Sequence, residues 1–282
     1  MELDMATRNR QTGSYIQLSD GITHYEMDGP RSGGAVVLIS GFSVPCFIFD
    51  PTFAFLRDAG FRVLRYDHFG RGFSDRPRSL RHDLPTFARQ LTELLAGLGI
   101  RTASLVGLSM GGLIAAAAAL WQPEAVQRLV LIDPVGGAPM PLSVGLRLAK
   151  LPLLGELMLT ALGQPVLVRA IAADFANPKL AEALAPRFSE QIRFRGSRAA
   201  LLSTLRSGML ESATDVYEAV GRQGKPVLIL WGTQDRTVPF SHSEVVRRAI
   251  PQGSFHAIQG SGHLPHYERP SVVNPILKAF LQ

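Results

Sequence analysis

Cysteine is nearly absent from this chain: one, Cys46, stands among 282 residues. An internal disulfide is therefore excluded, and a reducing compartment fits. Lysine is almost as scarce, occurring only at Lys150, Lys179, Lys225 and Lys278, so the formal charge of +6 comes from arginine. Those arginines are scattered, with no basic block interleaved with aromatics, and nucleic-acid binding finds no support. Weak attraction to anionic surfaces or substrates is compatible with the charge. No apolar run is long enough to span a bilayer, and Met1–Ser14 is polar, without the apolar stretch of a signal peptide. The expected location is cytoplasmic. Phosphate-binding and dinucleotide-binding glycine motifs are missing. His263-x-x-His266 lacks the acidic partner of a zinc-protease arrangement, so neither metal nor cofactor is expected.

What remains is the composition of a packed protein, 46% hydrophobic and 18% charged. Tyr15–Leu18 and Ile22–Glu26, joined by Ser19-Asp20-Gly21, predict a hairpin. Apolar runs at Ala35–Ile39, Arg62–Tyr66, Ala103–Val106, Arg128–Ile132, Val227–Trp231 and Ser254–Ile258 read as buried strands. Helical patterns lie between them, clearest at Pro85–Leu98, where Phe87, Leu91, Leu94, Leu95 and Leu98 recur on one face. This alternation implies a mostly parallel sheet with helices on both faces. Residues 1–14 are expected as a flexible tail, 15–135 and 226–282 as the α/β core, and 136–225 as a helical cap inserted over the sheet's C-terminal edge. That insertion is rich in Leu and Met (Leu146, Leu148, Leu151, Leu153, Leu154, Leu157, Met158, Leu159, Leu162). Most of these should pack in a core of the cap itself, the rest lining an apolar pocket.

Gly107-x-Ser109-x-Gly111 sits where a strand turns into a helix of small residues, the pattern of a nucleophile elbow. A serine on so sharp a turn needs neighbours without side chains, because strand and helix cross closely. In a parallel sheet, ligands bind beyond the carboxyl ends of the strands. Polar residues there include Ser40, Ser109, Asp235 and His263, in the chain order serine, acid, histidine. Serine needs a base to remove its proton, and the base needs an orienting acid. His266 is a competing base, and Asp133, after the preceding strand, a competing acid. Cys46 fits a small buried apolar residue better than a nucleophile.

These motifs, with Ser40-Gly41-Phe42, Asp67-His68-Phe69-Gly70-Arg71-Gly72-Phe73-Ser74, Gly232-Thr233-Gln234-Asp235 and Gly262-His263, resemble those of the α/β-hydrolase family over roughly Tyr15–Val135 and Pro226–Leu281. The resemblance implies that Ser109 is nucleophile, Asp235 acid and His263 base, with the backbone N–H groups of Phe42 and Met110 as oxyanion hole. Val135 and Val238 are candidate pocket walls. The family usually carries His-Gly where this chain has Ser40-Gly41, so the imidazole that often braces that loop is missing. A serine at the elbow argues against the family's epoxide- and halide-displacing branches, which use aspartate.

The expected function is a serine hydrolase of small, mainly apolar carboxylic esters, working through an acyl-enzyme. The same constellation would also serve C–C cleavage of ring-fission products, lactone opening or cofactor-free peracid formation. A non-catalytic ligand-binding protein on this fold would have no need of all three residues.

Overall fold

The short aliphatic runs form one sheet because each is long enough to cross a domain and apolar enough to be covered on both faces. A computed structural model describes the backbone of residues 1–282 and all side chains except those of 159–166 and 170. The strands are β1 (Ser14–Leu18), β2 (Gly21–Asp28), β3 (Ala35–Ile39), β4 (Arg62–Tyr66), β5 (Ala103–Leu108), β6 (Val126–Ile132), β7 (Val227–Gly232) and β8 (Ser254–Ile258). Their spatial order is β1-β2-β4-β3-β5-β6-β7-β8. β2 pairs antiparallel with β1 and β4, and all remaining pairs are parallel.

Before β5 lie α1 (Met5–Arg8), α2 (Asp50–Asp58) and α3 (Leu84–Gly97), and directly after it α4 (Met110–Trp121). Between β6 and β7 come α5 (Val144–Ala149), α6 (Leu154–Ile171), α7 (Ala181–Ile192), α8 (Ser197–Arg206) and α9 (Thr214–Arg222). α10 (His242–Ala249), α11 (Pro265–Glu268) and α12 (Pro270–Leu281) complete the chain. α3 begins where its sequence says it should: the Asp83 carboxylate accepts the Thr86 N–H at 3.1 Å, and Pro85 occupies the first turn.

Side-chain alternation along the strands divides the core in two. Val37, Ile39, Leu105, Leu131 and Ile229 point to one face, packing with Phe87 and Leu91 of α3 and Leu113 of α4. Val36, Leu38, Val106, Val130 and Leu228 point to the other, against Phe53 and Leu56 of α2 and Leu277 of α12. Among the described residues no helix is long and apolar enough to cross a membrane.

Two sequence expectations need correcting. Residues 1–14 are not a loose tail throughout, because α1 is docked. Asp4 caps it by accepting the Thr7 N–H at 2.8 Å, and Arg8, only 4% exposed, pairs with Asp75. Asp75 also accepts the Ile22 N–H at 2.7 Å, so Arg8 is tied to a carboxylate already fixed on the sheet edge. A single helical turn held by distant partners has no periodicity to read. The second correction concerns the leucines of the insertion. Leu146, Leu148, Leu151, Leu153 and Leu157 lie exposed on α5, the following turn and the start of α6 rather than in a core. Leu154 and Met158 are half-buried, and the side chains of Leu159 and Leu162 lie outside the described residues.

Arg8→Ala strands a half-buried Asp75 carboxylate. The expected loss is about 1–2 kcal/mol of stability, since the acid keeps partial solvent access; urea denaturation of the variant beside wild type measures it.

Candidate active site

The turn from β5 into α4 is built on a strained residue. Ser109 sits at φ 55 and ψ −118, between Leu108 at the strand end and Met110 at the helix start. A non-glycine residue there costs about 1–3 kcal/mol and persists only where its surroundings enforce it. Here they do: the Ser109 N–H donates to the Ile132 carbonyl at 2.8 Å, and the Ser109 carbonyl accepts from Gly112 at 3.0 Å and Val135 at 3.3 Å. A Cβ on Gly107 would collide with the Gly111 carbonyl, and one on Gly111 with the carbonyls of Ile39 and Ser40. Both glycines are thus fixed by close approach.

Asp235 follows β7 and His263 follows β8, and the structure joins them. His263 Nδ1 lies 2.7 Å from Asp235 Oδ2 with both side chains buried. The other oxygen, Asp235 Oδ1, accepts the N–H groups of Thr237 at 2.8 Å and Val238 at 2.9 Å. With Nδ1 donating to a carboxylate, Nε2 is left as the accepting nitrogen of a neutral ring. The backbone N–H of His263 donates to the Asp174 carbonyl at 2.7 Å, so the segment after α6 helps hold it. Among the described residues no hydrogen bond links Ser109 Oγ to His263, a separation common before substrate is bound.

Burial opposes protonation of His263, but the Asp235 charge and hydrogen bond, with Asp174 and Glu268 further off, outweigh it and raise the pKa above the ordinary 6.5. The two alternatives from the sequence, His266 and Asp133, take different places. His266 is a buried ring packed on Phe49 with centroids 4.5 Å apart, and burial lowers its pKa to about 3. Asp133 lies inside the site. Its donor and acceptor atoms fall within 4.8 Å of those of Asp235 and His263, and Oδ1 accepts the Gly232 N–H at 2.9 Å. An ionised Asp133 would leave Oδ2 buried without a donor. Burial first, and the Asp235 charge second, push its pKa well above the ordinary carboxyl value, toward the neutral acid.

Ahead of the elbow, Ser40-Gly41-Phe42 passes directly over Ser109: a Cβ on Gly41 would sit 3.3 Å from the serine Cβ. His68, to which the sequence alone assigned no role, supplies an imidazole here. Its Nε2–H donates to the Ser40 carbonyl at 2.9 Å, and burial, lowering its pKa to about 4, keeps it neutral. Arg71 fixes the next residue. Its Nε donates to the Phe42 carbonyl at 3.0 Å, and a second nitrogen reaches Thr204 Oγ1 on α8 at 2.9 Å. The N–H groups of Phe42 and Met110 have no hydrogen-bond acceptor among the described residues. The side chains of Val135 and Val238, the candidate pocket walls, are buried in the core, while the Val135 N–H donates to the Ser109 carbonyl at 3.3 Å and the Val238 N–H to Asp235 Oδ1 at 2.9 Å.

Among the described residues two groups of side chains bring three ligand-type atoms within 4.8 Å: His24, Cys46 and Asp67, and Asp133, Asp235 and His263. Hydrogen bonds hold His263 to Asp235 in the second group and Asp67 in the first. Asp67 accepts from His24 Nδ1 at 2.8 Å, the Cys46 N–H at 2.9 Å and the Phe73 N–H at 2.9 Å, and the Cys46 thiol is held neutral by burial.

The sequence profile of the alpha/beta hydrolase fold matches residues 34–270. A protein of Mycobacterium tuberculosis of uncharacterised function is 29% identical over 269 residues, covering 89% of this chain and 76% of its own. A 2-hydroxymuconate semialdehyde hydrolase of Pseudomonas putida is 28% identical over 226 residues, covering 78% of this chain and 76% of its own. Among solved structures, a meta-cleavage product hydrolase variant superposes with a TM-score of 0.79 at 25% identity, covering 95% of this chain and 97% of its own. An esterase from Exiguobacterium antarcticum reaches 0.81 at 22% identity, covering 96% and 99%, a likeness of fold.

Asp235→Asn removes the charge that outweighs burial at His263. In an NMR titration the His263 pKa is expected above 6.5 in the wild type and below 6.5 in the variant. Asp133→Asn tests the raised carboxyl. Because the folded-state pKa of Asp133 is raised, wild-type stability falls as pH rises from the unfolded carboxyl value through the folded one. The amide variant keeps the Gly232 bond and has no such proton to lose. Its stability relative to wild type should therefore increase with pH between 5 and 8, by at most about 1.4 kcal/mol per pH unit; thermal unfolding across that range reads it.

Proposed function

The chain belongs to the α/β-hydrolase family, and from that premise we propose that it is a serine hydrolase of small, mainly apolar carboxylic esters. The observation that carries the reading is the buried His263–Asp235 hydrogen bond at 2.7 Å on the loops next to the strained Ser109 elbow. In this reading Ser109 Oγ attacks the ester carbonyl while His263 Nε2 takes its proton. Asp235 holds the ring in the tautomer that leaves Nε2 free and stabilises the imidazolium that forms. The unpartnered N–H groups of Phe42 and Met110 receive the developing oxyanion, Met110 adding the positive end of α4. His263 then protonates the departing alcohol, and water repeats the sequence on the acyl-enzyme.

The helices from α5 to α9 act as a cap. The Asp174 carbonyl on His263 and Thr204 on Arg71 give them contact with both the base and the loop over Ser109. Asp133 supports the reading from behind: burial and the nearby Asp235 charge raise its pKa, which disfavours a second negative charge beside Asp235. A second reading has specific support from the Pseudomonas putida relative, named for hydrolysis of 2-hydroxymuconate semialdehyde. It uses the same residues to cleave a C–C bond beside a carbonyl.

Ser109→Ala is expected to lower kcat for p-nitrophenyl esters by at least about 10⁴-fold with the fold intact. Esters of graded acyl length size the pocket, and a ring-fission product assayed in parallel separates the two readings. The base must be neutral to accept a proton, and its pKa is raised. Wild-type kcat/KM should therefore climb with pH through an apparent pKa above 6.5; a profile already flat at pH 6 would remove His263 from the role of base.

A further inference from the structure

Apolar side chains are not spread evenly over the surface. Among the described residues ten large ones are exposed, and six of these, Val144, Leu146, Leu148, Leu151, Leu153 and Leu157, fall within one stretch. Leu153 is 83% exposed, Val144 71% and Leu157 63%, and of α5 only Ala149 is buried. Scattered single leucines are ordinary on a protein surface, but a contiguous run of this size marks a surface that meets something apolar. The run is held in place. Leu153, at its most exposed point, has φ 66. The Arg206 guanidinium of α8 donates to the carbonyls of Lys150 at 3.1 Å and Leu151 at 2.8 Å, and pairs with Glu156 at 2.6 Å.

Beside the ridge, and sharing Arg206 and Glu156 with it, opens a cleft of about 540 Å³. Among the described residues five arginines line it, Arg81, Arg193, Arg195, Arg198 and Arg206, with Glu156 as the acid in its wall. Arg81 also meets Asp83 at 3.2 Å, and Arg195 meets Glu2 at 2.9 Å, both on the exposed rim. On the ridge, Lys150 pairs with Glu211 at 2.6 Å, and Arg147 Nε donates to the Leu142 carbonyl at 3.0 Å. Aliphatic side chains thus stand next to a concave, predominantly cationic surface.

We propose that this face docks on an anionic lipid bilayer. The ridge from Val144 to Leu157 enters the boundary between headgroups and acyl chains, and the arginine cleft lies over the phosphates. An apolar face with a basic border is how monotopic surfaces bind: buried aliphatic area and attraction to anionic lipid add together. Charge distinguishes this occupant from a second copy of the chain. A two-fold interface would set the same patch on both subunits, arginine cleft beside arginine cleft, which is repulsive. A phosphate-bearing bilayer supplies the complementary sign. The proposal is independent of the ester-hydrolase reading, since it concerns the outer face of the insertion and no residue assigned to catalysis.

The test is sedimentation of the full-length Ser109→Ala protein, which cannot modify the lipid, with vesicles of phosphatidylcholine alone or containing about 30% phosphatidylglycerol. Binding to the anionic vesicles is expected, and at least about tenfold weaker binding to the neutral ones. The triple variant Leu146→Ser, Leu153→Ser, Leu157→Ser should weaken the anionic-vesicle binding by about tenfold or more. Arg81→Ala with Arg195→Ala should reduce the preference for phosphatidylglycerol. Far-UV circular dichroism and the thermal unfolding midpoint of all these variants should match the wild type, which confirms the fold. Failure to sediment with either vesicle would overturn the proposal, as would binding indifferent to the leucine substitutions. Sedimentation velocity supplies the remaining arm: a wild-type dimer that the serine substitutions dissociate would assign the ridge to a second copy instead.

Discussion

Ser109 is held at a backbone angle that a side chain disfavours, and much of the active edge follows from keeping it there. The elbow stays strained because its N–H is committed to the Ile132 carbonyl, which belongs to the next strand. That commitment is repeated outward: Asp133 N–H bonds to Leu230, and Thr233 N–H to Ile258. Each bond extends a parallel ladder by one step past its strand, so the loops inherit the strand spacing of about 4.8 Å. Side chains from four loops far apart in sequence are thereby set at the intervals of the sheet. Asp133, at φ 44, bears the same kind of strain one strand over, and its carboxyl receives the Gly232 N–H. The precision of the site is therefore a property of the sheet, passed on through its last hydrogen bonds.

Electrostatics adds a second layer of constraint. Asp133, Asp174 and Asp235 are all buried or nearly so around one imidazole, with Glu268 behind them. Four carboxylates and one histidine would be an unstable collection if all were ionised. The structure distributes the load. Burial raises Asp133 and Asp174 toward their neutral forms, and Glu268 spends its charge on the N–H groups of Gly262 at 2.7 Å and Ala176 at 2.9 Å. What remains is concentrated on Asp235, the one acid bonded to the ring. A histidine so placed has its basicity set chiefly by a single partner, the condition the proposed mechanism needs.

Much of this was legible in the residues. The strands could be read because doubly covered strands are continuous apolar runs. The elbow could be read because two glycines flanking a serine, between strand and helix, match the close crossing that such a turn requires. What stayed hidden was carried by side chains reaching across the fold. Asp133 could be named as a neighbour of the site, but not as a buried acid whose carboxyl lies within 4.8 Å of Asp235 and His263, because strand register sets that distance. Arg8 and Asp75 are 67 residues apart. The leucines of the insertion misled for a different reason. Apolar content predicts burial only when there is a partner surface to bury against, and α5 is too short and too far out to find one.

His68 shows how such a site tolerates a departure from its family's pattern. With serine at position 40, the loop over the elbow loses the imidazole it would carry itself. The Ser40 carbonyl is instead gripped from the next loop by His68, packed edge-on against Tyr66 and Phe87. Arg71 continues the bracing at Phe42 and extends it to Thr204, so the loop is clamped between the sheet and the inserted helices. A guanidinium buried on hydroxyl and carbonyl oxygens is costly to leave without those acceptors, because its N–H groups then lie unpaired away from water. A displacement of α8 large enough to withdraw Thr204 leaves the guanidinium only the carbonyls of Phe42 and Phe69 and shifts the balance at Phe42. Movement of the insertion and geometry at the N–H proposed to hold the oxyanion are thus linked through one guanidinium.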